Sequence, residues 1–136
     1  MRKEYSTLLR REFDKLLTNR LPNFSISKGE SCAAKGSLVY KCNVAKDFAL
    51  YIYLYIDELF DEFTVEVGWS TDQKLPALKP FSTPQDTVHD QGTRMRLSRF
   101  WDPKSDYWWV IQPRDTPEEA IRRIREFDMS IMDPRN

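Results

Sequence analysis

Between Phe48 and Ile56 the chain reads FALYIYLYI, nine uncharged residues whose two alternating sets differ in kind. Phe48, Leu50, Ile52, Leu54 and Ile56 carry no polar side-chain atom, while Tyr51, Tyr53 and Tyr55 sit between them. Successive side chains of a strand point to opposite faces, so this period of two predicts a strand with one aliphatic and one tyrosine face. The same period recurs on both sides. In SLVYKCNV, Leu38, Tyr40, Cys42 and Val44 alternate with Val39, Lys41 and Asn43. In EFTVEVGWS, Phe63, Val65, Val67 and Trp69 alternate with Thr64, Glu66 and Gly68. Links at 45–47 and 58–61 join the three runs as an antiparallel meander. Nine apolar residues are less than half of the roughly 20 that a membrane helix needs, so no membrane span is expected.

The flanks read differently. Over residues 3–19, Tyr5, Leu8, Leu9, Phe13, Leu16 and Leu17 recur at helical spacing opposite Arg10, Arg11, Asp14 and Lys15, and Pro22 stops the pattern. Residues 71–93 hold Pro76, Pro80 and Pro84 without a sustained period and read as a long loop, packed through Leu75, Leu78 and Phe81. RMRLSRFW (94–101) and DYWWVI (106–111) are two further strand candidates around a turn at 102–105. At the end, Thr116 as N-cap, Pro117 and Glu119 form a helix start ahead of the stripe Ala120, Ile121, Ile124, Phe127 and Ile131. The expected fold is one α+β domain spanning 1–136. It is an antiparallel sheet of about five strands with N- and C-terminal helices on the aliphatic face.

Composition removes several chemistries. The 136 residues carry 21 basic and 21 acidic side chains, which excludes the strongly basic balance of a dedicated duplex binder. The charge is nonetheless segregated: residues 1–46 balance to +6, 47–72 to −7, and the remainder to +1. Four glycines at 29, 36, 68 and 92 cannot form a phosphate loop or a dinucleotide turn. One histidine leaves no cluster for a catalytic zinc, and no metal or cofactor is expected. Arg10, Arg11 and Glu12 fall where a signal peptide needs an apolar core, and Cys32 and Cys42 lack CxxC spacing. A cytoplasmic protein with reduced thiols is the expectation.

With the aliphatic face given to the helices, the tyrosine face is the candidate surface. Tyrosine combines an apolar body with a hydroxyl that needs a partner, which suits an interface. Arg94 and Arg96 share one face by alternation, and beside aromatics they could bind phosphate, carboxylate or a base plane. Their ordinary fate is pairing with surface carboxylates, here Asp57, Glu58, Asp61 and Glu62. Trp108 and Trp109 point to opposite faces, and Trp109 is taken to join the tyrosine face. The candidate binding set is therefore Tyr51, Tyr53, Tyr55, Arg94, Arg96 and Trp109, and at least two of the three tyrosines should be accessible. Catalysis would need Cys32, flanked by Lys28 and Lys35, together with His89; no nucleophile signature surrounds either, and no catalytic residue is assigned. Cys42 reads as a small core residue.

The segment RMRLSRFWDPKSDYWWVI, with EFTVEVGW before it and a leading amphipathic helix, resembles a family of small bacterial α+β proteins known as a domain of unknown function. The order helix, meander, R-x-R-L strand, tryptophan pair, helix is similar; the expected glycine-phenylalanine-lysine stretch after the first helix is replaced by LPNFSISKG. The resemblance implies the fold and no catalytic residues.

These readings favour a non-enzymatic module that binds another protein, of the immunity or regulatory type, with a homodimer left open. The alternatives are a nucleotide or single-strand binder on the same aromatic face, opposed by Glu66 and the −7 segment, and a small enzyme using Cys32 and His89. An exposed apolar patch would favour the protein partner, a positive aromatic groove nucleic acid, and a cleft joining Cys32 to His89 catalysis.

Overall fold

The computed structural model describes residues 3–57, 62–77, 91–100 and 108–110, with positions 118 and 122. Helix α1 spans Lys3–Arg20. The strands are β1 (Ser25–Ile26), β2 (Leu38–Ala45), β3 (Phe48–Asp57), β4 (Glu62–Ser70), β5 (Gly92–Arg96) and β6 (Trp109–Val110), with a 3-10 turn at Leu97–Phe100 after β5. They form one sheet in the order β1-β2-β3-β4-β5, with β6 also paired to β4. An antiparallel sheet with an N-terminal helix is thus the described architecture. Of the expected C-terminal helix, Glu118 and Arg122 are helical and exposed; the rest of 116–136 lies outside the described residues.

The chain divides into two compact units. The first takes in Met1–Pro22, Ile56–Phe63 and Trp108–Asn136, the second Asn23–Tyr55 and Thr64–Tyr107. In the first unit, α1 buries Tyr5, Leu9, Phe13 and Leu17, one residue per turn along a single stripe. Arg11 and Lys15 are exposed and flank the buried Glu12, each 3.7 Å from its Oε1. The Leu21 N–H donates to the Leu17 carbonyl at 2.7 Å, and Pro22 prevents a further turn.

In the second unit, register settles which side chains share a face. Leu50 lies opposite Cys42, Tyr51 opposite Lys41 and Tyr53 opposite Val39, and directly opposed residues lie on the same side. The ladder shifts between Asn43 and Ala45, a bulge that leaves Val44 58% exposed. Val67 and Trp69 lie opposite Met95 and Thr93, while Glu66 and Gly68 lie opposite Arg96 and Arg94.

Both faces of the sheet carry buried side chains: on the aliphatic face Tyr40, Leu54, Val65 and Met95 are at most 3% exposed. On the tyrosine face Val39, Ala49, Tyr51, Tyr53 and Leu75 form a buried cluster, with Ala33 and Tyr55 packed against it. On the aliphatic face Phe48, Leu50, Ile52, Val67 and Trp69 are only half-buried, and Cys42 is half-buried rather than a core residue. The accessible tyrosines expected of a binding face are therefore corrected: Tyr51 and Tyr53 are 1% and 2% exposed, and only Tyr55 is half-buried. The cause is the chain on either side. Residues 30–34 and 73–75 lie over the tyrosines, with Leu75 as the apolar plug.

Because Tyr53 is wholly inside, Tyr53→Ala is expected to cost about 3–5 kcal/mol in urea unfolding. Tyr53→Phe, which loses only the hydroxyl, should cost about 1–2 kcal/mol. A Tyr53→Ala variant unfolding within about 1 kcal/mol of the parent would place the ring outside the core.

Candidate functional site

Burying tyrosines requires a partner for each hydroxyl. Tyr53 Oη accepts the Ala34 N–H at 2.9 Å, and Tyr51 Oη accepts from Ser70 Oγ at 3.2 Å. The Glu30 carboxylate ties the overlying segments together, accepting from Ser27 Oγ at 2.8 Å and from the Leu75 N–H at 2.9 Å. Lys41 Nζ lies 5.8 Å from the Tyr51 ring centre and donates to the Gln73 carbonyl at 3.0 Å. Gln73 adopts a positive φ of 62°, and its side-chain amide donates to the Lys46 carbonyl at 3.2 Å.

Arg94 is the organising side chain. Its guanidinium carbon lies 4.6 Å from the Tyr53 ring centre, its Nε is 2.8 Å from Glu66 Oε1, and its Nη1 donates to the Cys32 carbonyl at 3.2 Å. Arg96 Nη1 meets the other carboxylate oxygen of Glu66. One carboxylate thus holds two arginines, with Glu66 and Arg94 at 2% and 9% side-chain exposure. Gly68, opposite Arg94, makes the close approach of β5 possible, because a Cβ there would lie 2.5 Å from the Thr93 carbonyl oxygen and 3.3 Å from Arg94 Cα. Beyond Tyr53, Tyr55 continues the stack at 6.3 Å between ring centres.

Alternation puts Arg94 and Arg96 on one face, and the structure brings that face to the tyrosines, with Arg94 over Tyr53 and both arginines on Glu66. Their role there differs from a binding surface. The guanidiniums face Glu66, not an open groove. The carboxylate that sequence reading assigned to oppose a polyanion is the one that takes both. Glu66 is a partner of both arginines; of the carboxylates at 57–62, Glu58 and Asp61 lie outside the described residues. The register of E-V-G against R-M-R is the signal that finds this pair, since it sets Glu66 opposite Arg96 and one step from Arg94. Trp109 is described by its backbone alone, opposite Phe63 in β6. Cys32 is an exposed free thiol, and His89 lies outside the described residues. Among the described residues no three His, Cys, Asp or Glu side chains gather to hold a metal, and no helix is long and apolar enough to cross a membrane.

Removing one member of a buried ion cluster leaves the others without compensation. Glu66→Gln is therefore expected to cost about 3–5 kcal/mol in chemical unfolding, far more than a typical surface substitution. A change below about 1 kcal/mol would mean that the two arginines reach water in solution.

Burial also pushes the Tyr51 phenol above tyrosine's ordinary value; the Ser70 hydrogen bond opposes this, and the carboxylates of Glu30 and Asp72 add to it. A folded-state value above the unfolded one keeps this contribution intact below the ordinary range near 10 and loses it as pH rises through that range. Urea midpoints at about pH 8 and about pH 11 should therefore fall further for the parent than for Tyr51→Phe. Equal alkaline losses in the two proteins would show that Tyr51 titrates as a solvated tyrosine.

Compared with protein-family models, curated proteins and solved structures, the chain matches none, so the family resemblance of RMRLSRFWDPKSDYWWVI rests on those residues themselves.

Proposed function

We propose that this chain is a non-enzymatic protein-binding module, of the immunity or regulatory type, and that it presents the aliphatic face of β2–β4 rather than the tyrosine face. The observation that carries the reading is the set Phe48, Leu50, Ile52, Val67 and Trp69, five large apolar side chains of the aliphatic face that are only partly buried. Trp69 stacks on Phe48 at 5.8 Å and 19°, and the bulged Val44 extends apolar exposure along β2. Apolar surface gathered in one place marks a docking site more often than the same residues scattered, and tryptophan is prominent among residues that dominate binding energy. The single-strand reading loses support because two of its stacking rings are inside and its arginines face a carboxylate. Both thiols are free, which agrees with a cytoplasmic placement as part of the same proposal.

The test is affinity capture from the native host with identification by mass spectrometry, repeated with Leu50→Ser and Trp69→Ser. Both variants should melt nearer to the parent than Tyr53→Ala does, since Leu50 and Trp69 are part-exposed while Tyr53 is wholly buried. Capture of a defined partner should fall by about tenfold or more in each. A partner retained unchanged by both variants, or no partner at all, would overturn the aliphatic-face reading.

A further inference from the structure

Among the described strands, β1 ends the strand order and pairs on one side only. Ser25 and Ile26 oppose Lys41 and Tyr40, and the Ser27 N–H donates to the Val39 carbonyl at 2.9 Å. Backbone groups alternate in direction along an antiparallel ladder. If Ser27 spends its N–H on β2, Ser25 faces the same way, and Ile26 turns its N–H and C=O to the outer side. Its side chain is 47% exposed. An edge residue with an outward donor and acceptor is a template for one more strand.

Ile26 also lines a cleft of about 400 Å³, together with Lys28, Ala33, Ala34, Leu38 and Val39. Its one carboxylate, Glu30, is committed inward to Ser27 and Leu75. The cations near it are exposed: Lys28 at the cleft and Lys35 next in the chain to Ala34. Over residues 23–46 four lysines stand against Glu30 alone, a local balance of +3 in a chain whose net charge is zero.

We propose that the outer edge of β1 and this cleft take an extended acidic peptide segment of a partner protein as an added strand. Ile26 supplies the paired backbone groups, the cleft takes apolar side chains projecting to its side, and Lys28 and Lys35 select for carboxylates. A basic segment meets like charge at the same positions. The proposal goes beyond the aliphatic-face reading and shares no side chain with it, so either can fail alone.

The experiment uses the full chain and two fluorescein-labelled octapeptides, one alternating Glu with Val and one alternating Lys with Val. The acidic peptide should bind about tenfold or more tightly than the basic one in fluorescence anisotropy, and more weakly as salt is raised. Backbone amide resonances of Ile26 and Lys28 should shift during its titration. The double variant Lys28→Glu/Lys35→Glu, which changes exposed side chains only, should melt with the parent and lose about tenfold in affinity. Equal binding of the two peptides, shifts centred on Phe48–Ile52 and Trp69, self-association through β1 in place of peptide binding, or no binding up to about 1 mM peptide would each overturn it.

Discussion

A tyrosine hydroxyl taken out of water must meet another polar group, and the second unit of this protein is arranged around that requirement. Tyr53 is met by the Ala34 N–H and Tyr51 by Ser70, so the segments carrying these partners cannot drift from the sheet without leaving a buried hydroxyl unsatisfied. Arg94 extends the constraint, because its planar guanidinium rests on the Tyr53 ring and still reaches the Cys32 carbonyl. A buried guanidinium in turn demands a carboxylate, and Glu66 on the neighbouring strand supplies it. Packing, hydrogen bonding and charge therefore point to the same placement of residues 30–34 over the sheet.

The burial of the tyrosine face follows from this. An aliphatic face can be left half in water at a cost that grows only with exposed area. A tyrosine face that is buried without partners costs the desolvation of each hydroxyl as well. Once the cover supplies those partners, the tyrosine rings can be buried, and they bring cation–π and stacking contacts that aliphatic side chains cannot make. On the aliphatic face Phe48, Leu50, Ile52, Val67 and Trp69 stay part-exposed, while Tyr40, Leu54, Val65 and Met95 are buried.

Periodicity made much of the described fold legible. Three alternating runs correspond to β2, β3 and β4, with β2 shifted one residue onward to Leu38–Ala45 and β3 ending at Asp57, and the spacing of Tyr5, Leu9, Phe13 and Leu17 gave α1 to within one residue. Strand β1 was missed because two residues are too few to show a period, and LPNFSISKG looks like a connection. The strand predicted from Arg94 begins at Gly92 and ends at Arg96, where the chain enters a 3-10 turn. Which face would be buried was not legible from alternation. That choice depended on Ala34, Glu30 and Leu75, which lie up to 45 positions apart in the chain and show no pattern of their own. The Glu66 pairings were half legible: both arginines and the glutamate were assigned to one face, and only the register of β4 against β5 joins them.

Net neutrality conceals how charge is used. Among the described acidic residues of 47–72, Glu66 is the one that is buried, and two arginines meet it. Its burial removes from the surface the carboxylate nearest to the arginines, while the lysines of 23–46 have no comparable fate, since Lys28, Lys35 and Lys46 are exposed. Interior pairing of one carboxylate with two guanidiniums takes up one more positive charge than negative and leaves the exposed lysines of 23–46 unaffected. Long-range attraction between exposed charges is screened within about 8–10 Å at physiological salt. What a partner meets at that edge is therefore set by these local lysines rather than by the neutral total.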